Sequence, residues 1–365
     1  MVKMTRVIVS GGGTAGHILP VLEVVKELKK QGCQILYLGT FLGLEKKLAR
    51  GEGKVDYQWI LSGKFRRYVS LWTLWDGLKI FFGFFLALYR ILCFKPDAIF
   101  LKGGFVSLPV LLAGKVLGKK IIVHESDSAL GATNLLAHRL SQKTCFGFGL
   151  KNYTGIDLDK AIFTGTPGNS LILSATKDLK FFGFSSVKPI ILITGGSQGA
   201  LSVNNILKPI ISKLLEKYQI IHITGKKSPT IFDKNDKKSV GYWSAEFLDS
   251  YKMAQTWRVC DLAVSRAGAS SIADMALAKK PVILIPFPWS AQDHQQKNAR
   301  ILEKAGAAEV LEQEKLSGER LFDAIDNLAQ DKNRQKRLSE NVAKFSDKNS
   351  AKKIAEVIFD LIKDI

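Results

Sequence analysis

Short apolar runs alternate with amphipathic stretches along most of the chain, and many of the runs end at glycine or proline. Thr5 to Ser10, Gln34 to Leu38, Ala98 to Leu101 and Lys120 to Val123 predict strands, as do Ala161 to Phe163, Lys188 to Thr194 and Tyr218 to Thr224. Leu262 to Ser265 and Val282 to Ile285 complete the set. Between them lie helical patterns: one from the first glycine loop to about Lys30, then Pro109 to Leu117, Ala132 to Leu140 and a segment through Leu207. A last amphipathic helix carries Ile354, Val357, Ile358, Leu361, Ile362 and Ile365 on one face. Strand, glycine loop and helix open the chain at Thr5 and again at Lys188, which predicts an α/β protein with two doubly wound, Rossmann-like parallel-sheet domains. A length of 365 residues fits that division. The expected boundaries are 1–166 and 167–345, with a C-terminal helix in 346–365.

Residues 64 to 94 break the pattern. Lys64, Arg66 and Arg67 form a basic cluster, followed by Trp72, Trp75 and the apolar stretch Ile80 to Leu92. Lys79 and Arg90 interrupt that stretch, which reads as well short of the ~20 residues that span a bilayer. A buried core helix is one reading of residues 80 to 92. The cluster and tryptophans read as an interfacial contact with anionic lipid.

A formal net charge of +20 asks for an anionic partner. The lysines are spread along the chain and no nucleic-acid-binding motif occurs, so a membrane surface fits better than nucleic acid. Solvated lysines such as Lys234 to Lys238 account for part of the excess. Cys33, Cys93, Cys145 and Cys260 are scattered without CxxC spacing, which predicts reduced, mostly buried thiols in a cytoplasmic protein. The chain opens on a strand pattern with no apolar signal region behind it, so secretion is not expected. No HExxH, Cys/His cluster or Walker sequence occurs, and neither a metal nor a cofactor is expected. Asp157-Leu158-Asp159 matches a DxD but reads as a solvated turn.

The candidate chemistry lies in the loops after strands. Gly11 to Gly16 fits GxGxxG, yet the strand Gln34 to Leu38 ends in Gly39-Thr40, without the acidic residue that holds a dinucleotide's ribose. The glycines therefore read as a place where a phosphate or sugar approaches closely. His17 follows directly and either packs or acts as a general base. His124-Glu125-Ser126-Asp127 ends another strand, with Glu125 a second acid/base candidate. Ser271 and Asp274 have capping-box spacing at a helix start. Gln295 and Gln296 follow a Pro-rich loop and are able to donate to and accept from sugar hydroxyls.

Five motifs in order, Gly12-Gly13-Thr14-Ala15-Gly16-His17, Gly103-Gly104-Phe105-Val106-Ser107-Leu108-Pro109, His124 to Asp127, Gly195-Gly196-Ser197-Gln198-Gly199 and Ser265-Arg266-Ala267-Gly268-Ala269-Ser270-Ser271 with its continuation to Asn298, resemble the MurG family over nearly the whole chain. The resemblance implies a GT-B-like fold with its domains facing a central cleft and the C-terminal helix in 346–365 crossing back to the first domain. It implies an inverting hexosyltransferase moving N-acetylglucosamine from UDP-N-acetylglucosamine to a lipid-linked muramyl-pentapeptide, lipid I to lipid II, in peptidoglycan synthesis. Cell wall biogenesis, cell shape and cell division go with that role, on the cytoplasmic face of the cell membrane as a peripheral protein. It makes His17 the base and Thr14, Ala15, Gly16, Asp127, Asn169, Ser197, Leu248, Ala269, Ser270, Ser271, Asp274, Gln295 and Gln296 substrate contacts. Asp274 stands where the family has Glu for the ribose, and Asn169 where it has Arg for the donor diphosphate. Ala15 replaces a frequent Gly, which a negative φ tolerates. A transferase with a diacylglycerol acceptor, an epimerase of the same UDP-sugar and a silent UDP-sugar-binding membrane scaffold share these features.

Overall fold

The computed structural model describes residues 4–63, 71–185, 187–196, 199–225, 231–232 and 240–363, with the backbone alone of 71–74. Two compact units form, one from residues 1–167 and 347–365, the other from 168–346.

The first unit runs β1 (Arg6–Ser10), α1 (Ala15–Lys30), β2 (Gln34–Gly39), α2 (Leu44–Gly51), β3 (Asp56–Trp59), α3 (Leu71–Phe94) and β4 (Ala98–Leu101). It continues through α4 (Ser107–Val116), β5 (Lys120–Glu125), α5 (Ala132–Leu140), β6 (Lys143–Phe146) and β7 (Ala161–Phe163). Its strands pair in the order β3-β2-β1-β4-β5-β6-β7, all parallel. Val7, Ile8 and Val9 are buried on both faces of β1, which forces helical crossovers onto both sides of the sheet. The C-terminal helix, Ser350–Lys363, belongs to this unit: Ile354, Ala355 and Ile358 join Val21, Val24 and Leu28 of α1 in one core.

The second unit runs α6 (Leu179–Phe182), β8 (Ile190–Thr194), α7 (Leu201–Leu207), α8 (Ile211–Lys217), β9 (Gln219–Ile223), β10 (Tyr242–Ala245), α9 (Ser250–Val259), β11 (Leu262–Ser265) and α10 (Ala269–Ala278). Then come β12 (Val282–Leu284), α11 (His294–Lys304), β13 (Glu309–Val310), α12 (Gly318–Gln330) and α13 (Lys332–Val342). Its order is β10-β9-β8-β11-β12-β13, again all parallel. In each sheet the strand order reverses once, between β1 and β4 and between β8 and β11. Loops at the carboxyl ends of those strands are where open α/β sheets bind ligands.

Several local expectations change. α4 begins at Ser107, two residues before Pro109, and β5 runs on through His124 and Glu125. The capping box of Ser271 and Asp274 does not form: Gly268 is the N-cap of α10, and both residues lie inside the helix. The largest correction concerns α3. It is one helix of 24 residues through Lys79 and Arg90, and Trp75–Phe94 is long and apolar enough to cross a membrane by length and composition. Nor is it a buried core helix. Ala87 and Ile91 pack under the sheet with Ile99 and Leu101, while Phe81 (56% exposed), Phe82 (55%) and Phe85 (52%) face solvent. Gly83 lets the helix backbone touch Leu61, where a Cβ would collide.

Candidate functional site

In the first unit the chemistry gathers at the ends of β1, β4 and β5. Gly13 sits at φ +90° with Phe105 against it, and Thr14 then stands in extended conformation as the N-cap of α1. Ala15 and Gly16 open that helix, and Ala15 avoids positive φ. His17 is half-buried, its ring carbon 3.5 Å from where a Cβ on Gly104 would lie, so the first helix and the loop after β4 meet at this imidazole. Glu125, 3% exposed, accepts from the N–H groups of Asp127 (2.9 Å) and Gly131 (3.3 Å) and from Asn134 Nδ2 (2.8 Å). Those bonds fold the loop after β5 and set Asp127, half-buried, at its start. Burial pushes the Glu125 carboxyl up, while the Lys102 ammonium opposes the shift.

In the second unit the loops after β8, β9, β10, β11 and β12 take part. Gly199, at φ +77°, brings its backbone against Thr224 and Gly225, an approach any side chain would block. Arg266 follows β11 and is 6% exposed. Its guanidinium donates to the main-chain oxygen of Ile285 (2.9 Å), Ser202 Oγ (2.9 Å) and Gln313 Oε1 (2.6 Å), and stands 5.4 Å from the Phe287 ring centre. Burial pulls its pKa down to about 10. All of these partners are neutral. Asn298, fully buried, donates to the Ala267 oxygen at 3.0 Å and fixes the turn into α10.

Ala269, Ser270 and Ser271 form the first turn of α10, with Asp274 one turn on. Asp274 Oδ1 accepts from the Asn169 N–H at 2.8 Å. Asn169 is buried: it donates to the Ser250 oxygen at 2.6 Å and caps the short turn Ser170–Leu173. It therefore holds Asp274 in place from behind. Gln292 and Asp293 both sit in the left-handed region before α11, an uncommon pair for residues with side chains. Gln295 Oε1 accepts from the Phe287 N–H at 3.0 Å, and Gln296 is half-buried beside it. Leu248 buries its side chain just before α9. Ser197, Lys64, Arg66, Arg67 and the Trp72 side chain lie outside the described residues.

The glycosyltransferase family 28 N-terminal domain matches residues 7–145 and the C-terminal domain of the same family matches residues 190–357. A relative from Clostridium botulinum (strain 657 / Type Ba4), named UDP-N-acetylglucosamine--N-acetylmuramyl-(pentapeptide) pyrophosphoryl-undecaprenol N-acetylglucosamine transferase, is 38% identical over 97% of this chain and 99% of its own. The chain belongs to the MurG family of glycosyltransferases. A Lachnospira eligens protein of the same name is 35% identical over 98% of this chain and 99% of its own. Among solved structures, Acinetobacter baumannii MurG covers 98% of this chain and 99% of its own with a TM-score of 0.73 at 24% identity. A UDP-N-acetylglucosamine 2-epimerase covers 99% and 96% with a TM-score of 0.70 at 14% identity. These likenesses give the GT-B architecture.

Beneath the loops of this MurG-family glycosyltransferase lie polar residues that the sequence alone did not single out. Lys102, Asn134, Arg266 and Asn298 are all buried beneath the loops. Arg266 and Asn298 stand inside the quoted signature, so they were in view without a role. Lys102 directly precedes the Gly103-Gly104 pair. The signal that finds them is a polar residue directly after an apolar run, where a strand's end has no water to offer it. Asp157 and Asp159 form a turn, the Asp159 N–H donating to Asp157 Oδ1 at 3.1 Å. Among the described residues no cluster of metal-binding side chains occurs. Cys33, Cys145 and Cys260 are buried free thiols, and Cys93 is exposed on α3.

Proposed function

We propose that this enzyme transfers N-acetylglucosamine from UDP-N-acetylglucosamine to a lipid-linked muramyl-pentapeptide with inversion, converting lipid I to lipid II. The observation that carries the proposal is the 38% identity, over 97% of the chain, to transferases of that name. In this reading His17 takes the proton of the acceptor hydroxyl, a role suited to an imidazole whose ordinary pKa lies near neutrality. Asp127 orients the acceptor sugar, with Thr14, Ala15 and Gly16 alongside. The second unit takes the donor. Asp274 holds the ribose, the Leu248 main chain meets the uracil, and Ser197 with Ala269, Ser270 and Ser271 meets the diphosphate. Gln295 and Gln296 meet the sugar. The first-turn N–H groups of α10 favour the charge growing on departing UDP.

The acceptor's lipid requires a membrane, and α3 suits one. Its inner face is committed to the sheet through Ala87 and Ile91, so the exposed phenylalanines enter the interface while the helix stays packed. Lys64, Arg66, Arg67, Trp72 and Trp75 add anionic-lipid contacts in this reading. The enzyme then works as a peripheral protein on the cytoplasmic face of the cell membrane and serves cell shape and division, with no nucleic acid partner. The test is transfer of labelled sugar to a short-chain lipid-linked muramyl-pentapeptide, with and without EDTA, with diacylglycerol as a parallel acceptor. EDTA-insensitive labelling of the muramyl lipid alone is expected. Labelling of diacylglycerol would overturn the acceptor, and UDP-sugar binding without transfer to either would overturn the enzyme's assignment.

A further inference from the structure

Residues 60–63 leave the carboxyl end of β3 and lie against α3, backbone to backbone. A Cβ on Gly83 would collide with the Leu61 oxygen, and one on Gly63 would collide with the main chain of Asp76. Asp76 and Gly83 are about two helical turns apart, so the segment follows α3 rather than crossing it at one point. Ile60, 1% exposed, shares a core with Ala87 and Ile91 of the same helix. Between the two close contacts, Ser62 Oγ donates to the main-chain oxygen of Phe105 at 2.6 Å. Among the described residues no other hydrogen bond joins 60–63 to the loop after β4. That loop in turn meets the first glycine loop. The Phe105 ring stands 2.9 Å from where a Cβ on Gly13 would lie. A Cβ on Gly104 would lie 2.7 Å from the Gly12 oxygen and 3.5 Å from the His17 ring. One hydroxyl thus connects the helix that carries the exposed phenylalanines to the loops around His17.

We propose that Ser62 is a positioning residue that fixes the height of the His17 loops above the lipid surface met by α3. The proposal rests on the membrane reading of that helix. Ala87 and Ile91 seat the C-terminal part of α3 on the sheet, while Leu61 and Gly63 meet it nearer its N-terminus. Pro109, in the first turn of α4, packs on the same side, 3.3 Å from where a Cβ on Gly83 would lie. The chemistry of the acceptor gives this height a purpose. A sugar hydroxyl carried on a pyrophosphate whose lipid is anchored in a bilayer has a fixed reach, and cannot follow a site that shifts. A dissolved acceptor diffuses to the site wherever it stands. Misplacement by about 1 Å costs as much as about a hundredfold in rate, so a single hydrogen bond that sets the height matters far more for the anchored acceptor.

The test compares two acceptors with the full chain, for wild type, Ser62→Ala and Ser62→Thr. One is the lipid-linked muramyl-pentapeptide with its full polyprenyl chain, held in vesicles of phosphatidylglycerol and phosphatidylethanolamine. The other is a short-chain, water-soluble form. Ser62→Ala is expected to lose about tenfold in kcat/KM with the vesicle acceptor and no more than about threefold with the soluble one. Ser62→Thr, whose hydroxyl donates the same bond, is expected to restore the ratio, and both variants sediment with the vesicles as wild type does. Equal loss with the two acceptors, or no loss with either, overturns the role of Ser62 while sedimentation stays intact. A wild type that does not sediment with the vesicles overturns the membrane reading, and the proposal with it.

Discussion

The two glycine loops share a sequence plan of strand, glycine run and helix, yet they differ in the charges buried behind them: Glu45 and Lys102 behind the first, Arg266 behind the second. Behind the first lies Glu45, 1% exposed, against which a Cβ on Gly12 would come within 3.0 Å. Its carboxylate accepts from the Thr40 N–H at 2.9 Å and from Thr40 Oγ1 at 2.5 Å. Burial, and then this charge, push the Tyr37 and Tyr57 hydroxyls up. Those phenols donate to the main-chain oxygens of Gly11 and Thr40. Behind the second loop lies Arg266, also held by neutral groups. A buried charge with neutral partners sets a field that a ligand feels. At an effective dielectric near 20, a unit charge about 6 Å away is worth about 3 kcal/mol. In the proposed reading the first loop, with a buried carboxylate as well as a buried cation behind it, takes sugar hydroxyls beside His17. In that reading the second takes the diphosphate, with Arg266 offering the cation that Asn169 does not.

The largest expected effect is the part of the acid lability that His222 gives to the second unit, beside the first unit's own buried His124. His222, buried on β9, has Nδ1 2.8 Å from the Tyr242 hydroxyl and Nε2 2.9 Å from Asn204 Oδ1, and burial lowers its pKa to about 4. Between the ordinary value near 6.5 and that value the unfolded chain binds the extra proton. Its stabilising contribution is complete above about pH 6.5 and falls by about 3 kcal/mol as pH drops through 4. His222→Gln is expected to flatten that limb in exchange-detected opening of the second unit and to leave the first unchanged. Loss of the limb in both units would erase the distinction.

Next comes Arg266→Met. Removing the guanidinium is expected to weaken UDP binding by about 30-fold, or about 2 kcal/mol, and Arg266→Lys to recover part of it, as read by calorimetry. Glu45→Gln is the control on the other loop and is expected to leave UDP affinity within about twofold. Smallest is Asp274→Asn, expected to cost about fivefold in UDP-sugar affinity and nothing in the Asn169 contact, since the amide oxygen accepts the same N–H. A loss with UDP equal to that with a 2′,3′-dideoxy analogue would remove Asp274 from the ribose.

The strands and their loops were legible because a buried parallel strand is an unbroken apolar run closed by glycine or proline, and β1, β4, β8 and β11 all read that way. The start of α10 was misread. Ser271 and Asp274 have the right spacing for a cap, but Gly268, three residues before Ser271, is the N-cap in extended conformation and the helix begins without a side-chain cap. The exposure of Phe81, Phe82 and Phe85 was not legible. An apolar helix reads alike whether a sheet or a membrane receives its second face. The charges behind the loops were hidden for a related reason. Glu45, Lys102 and Arg266 are ordinary residues in sequence, and only the packing of glycines around them shows that they are buried.

The division of labour between the loops is tested most directly by hydrogen–deuterium exchange of the full chain with and without UDP. Protection is expected at residues 199–205, 265–275 and 285–296 of the second unit, with the loops at 11–17 and 102–104 unchanged. Protection at 11–17 and 102–104 with none in the second unit would contradict the account.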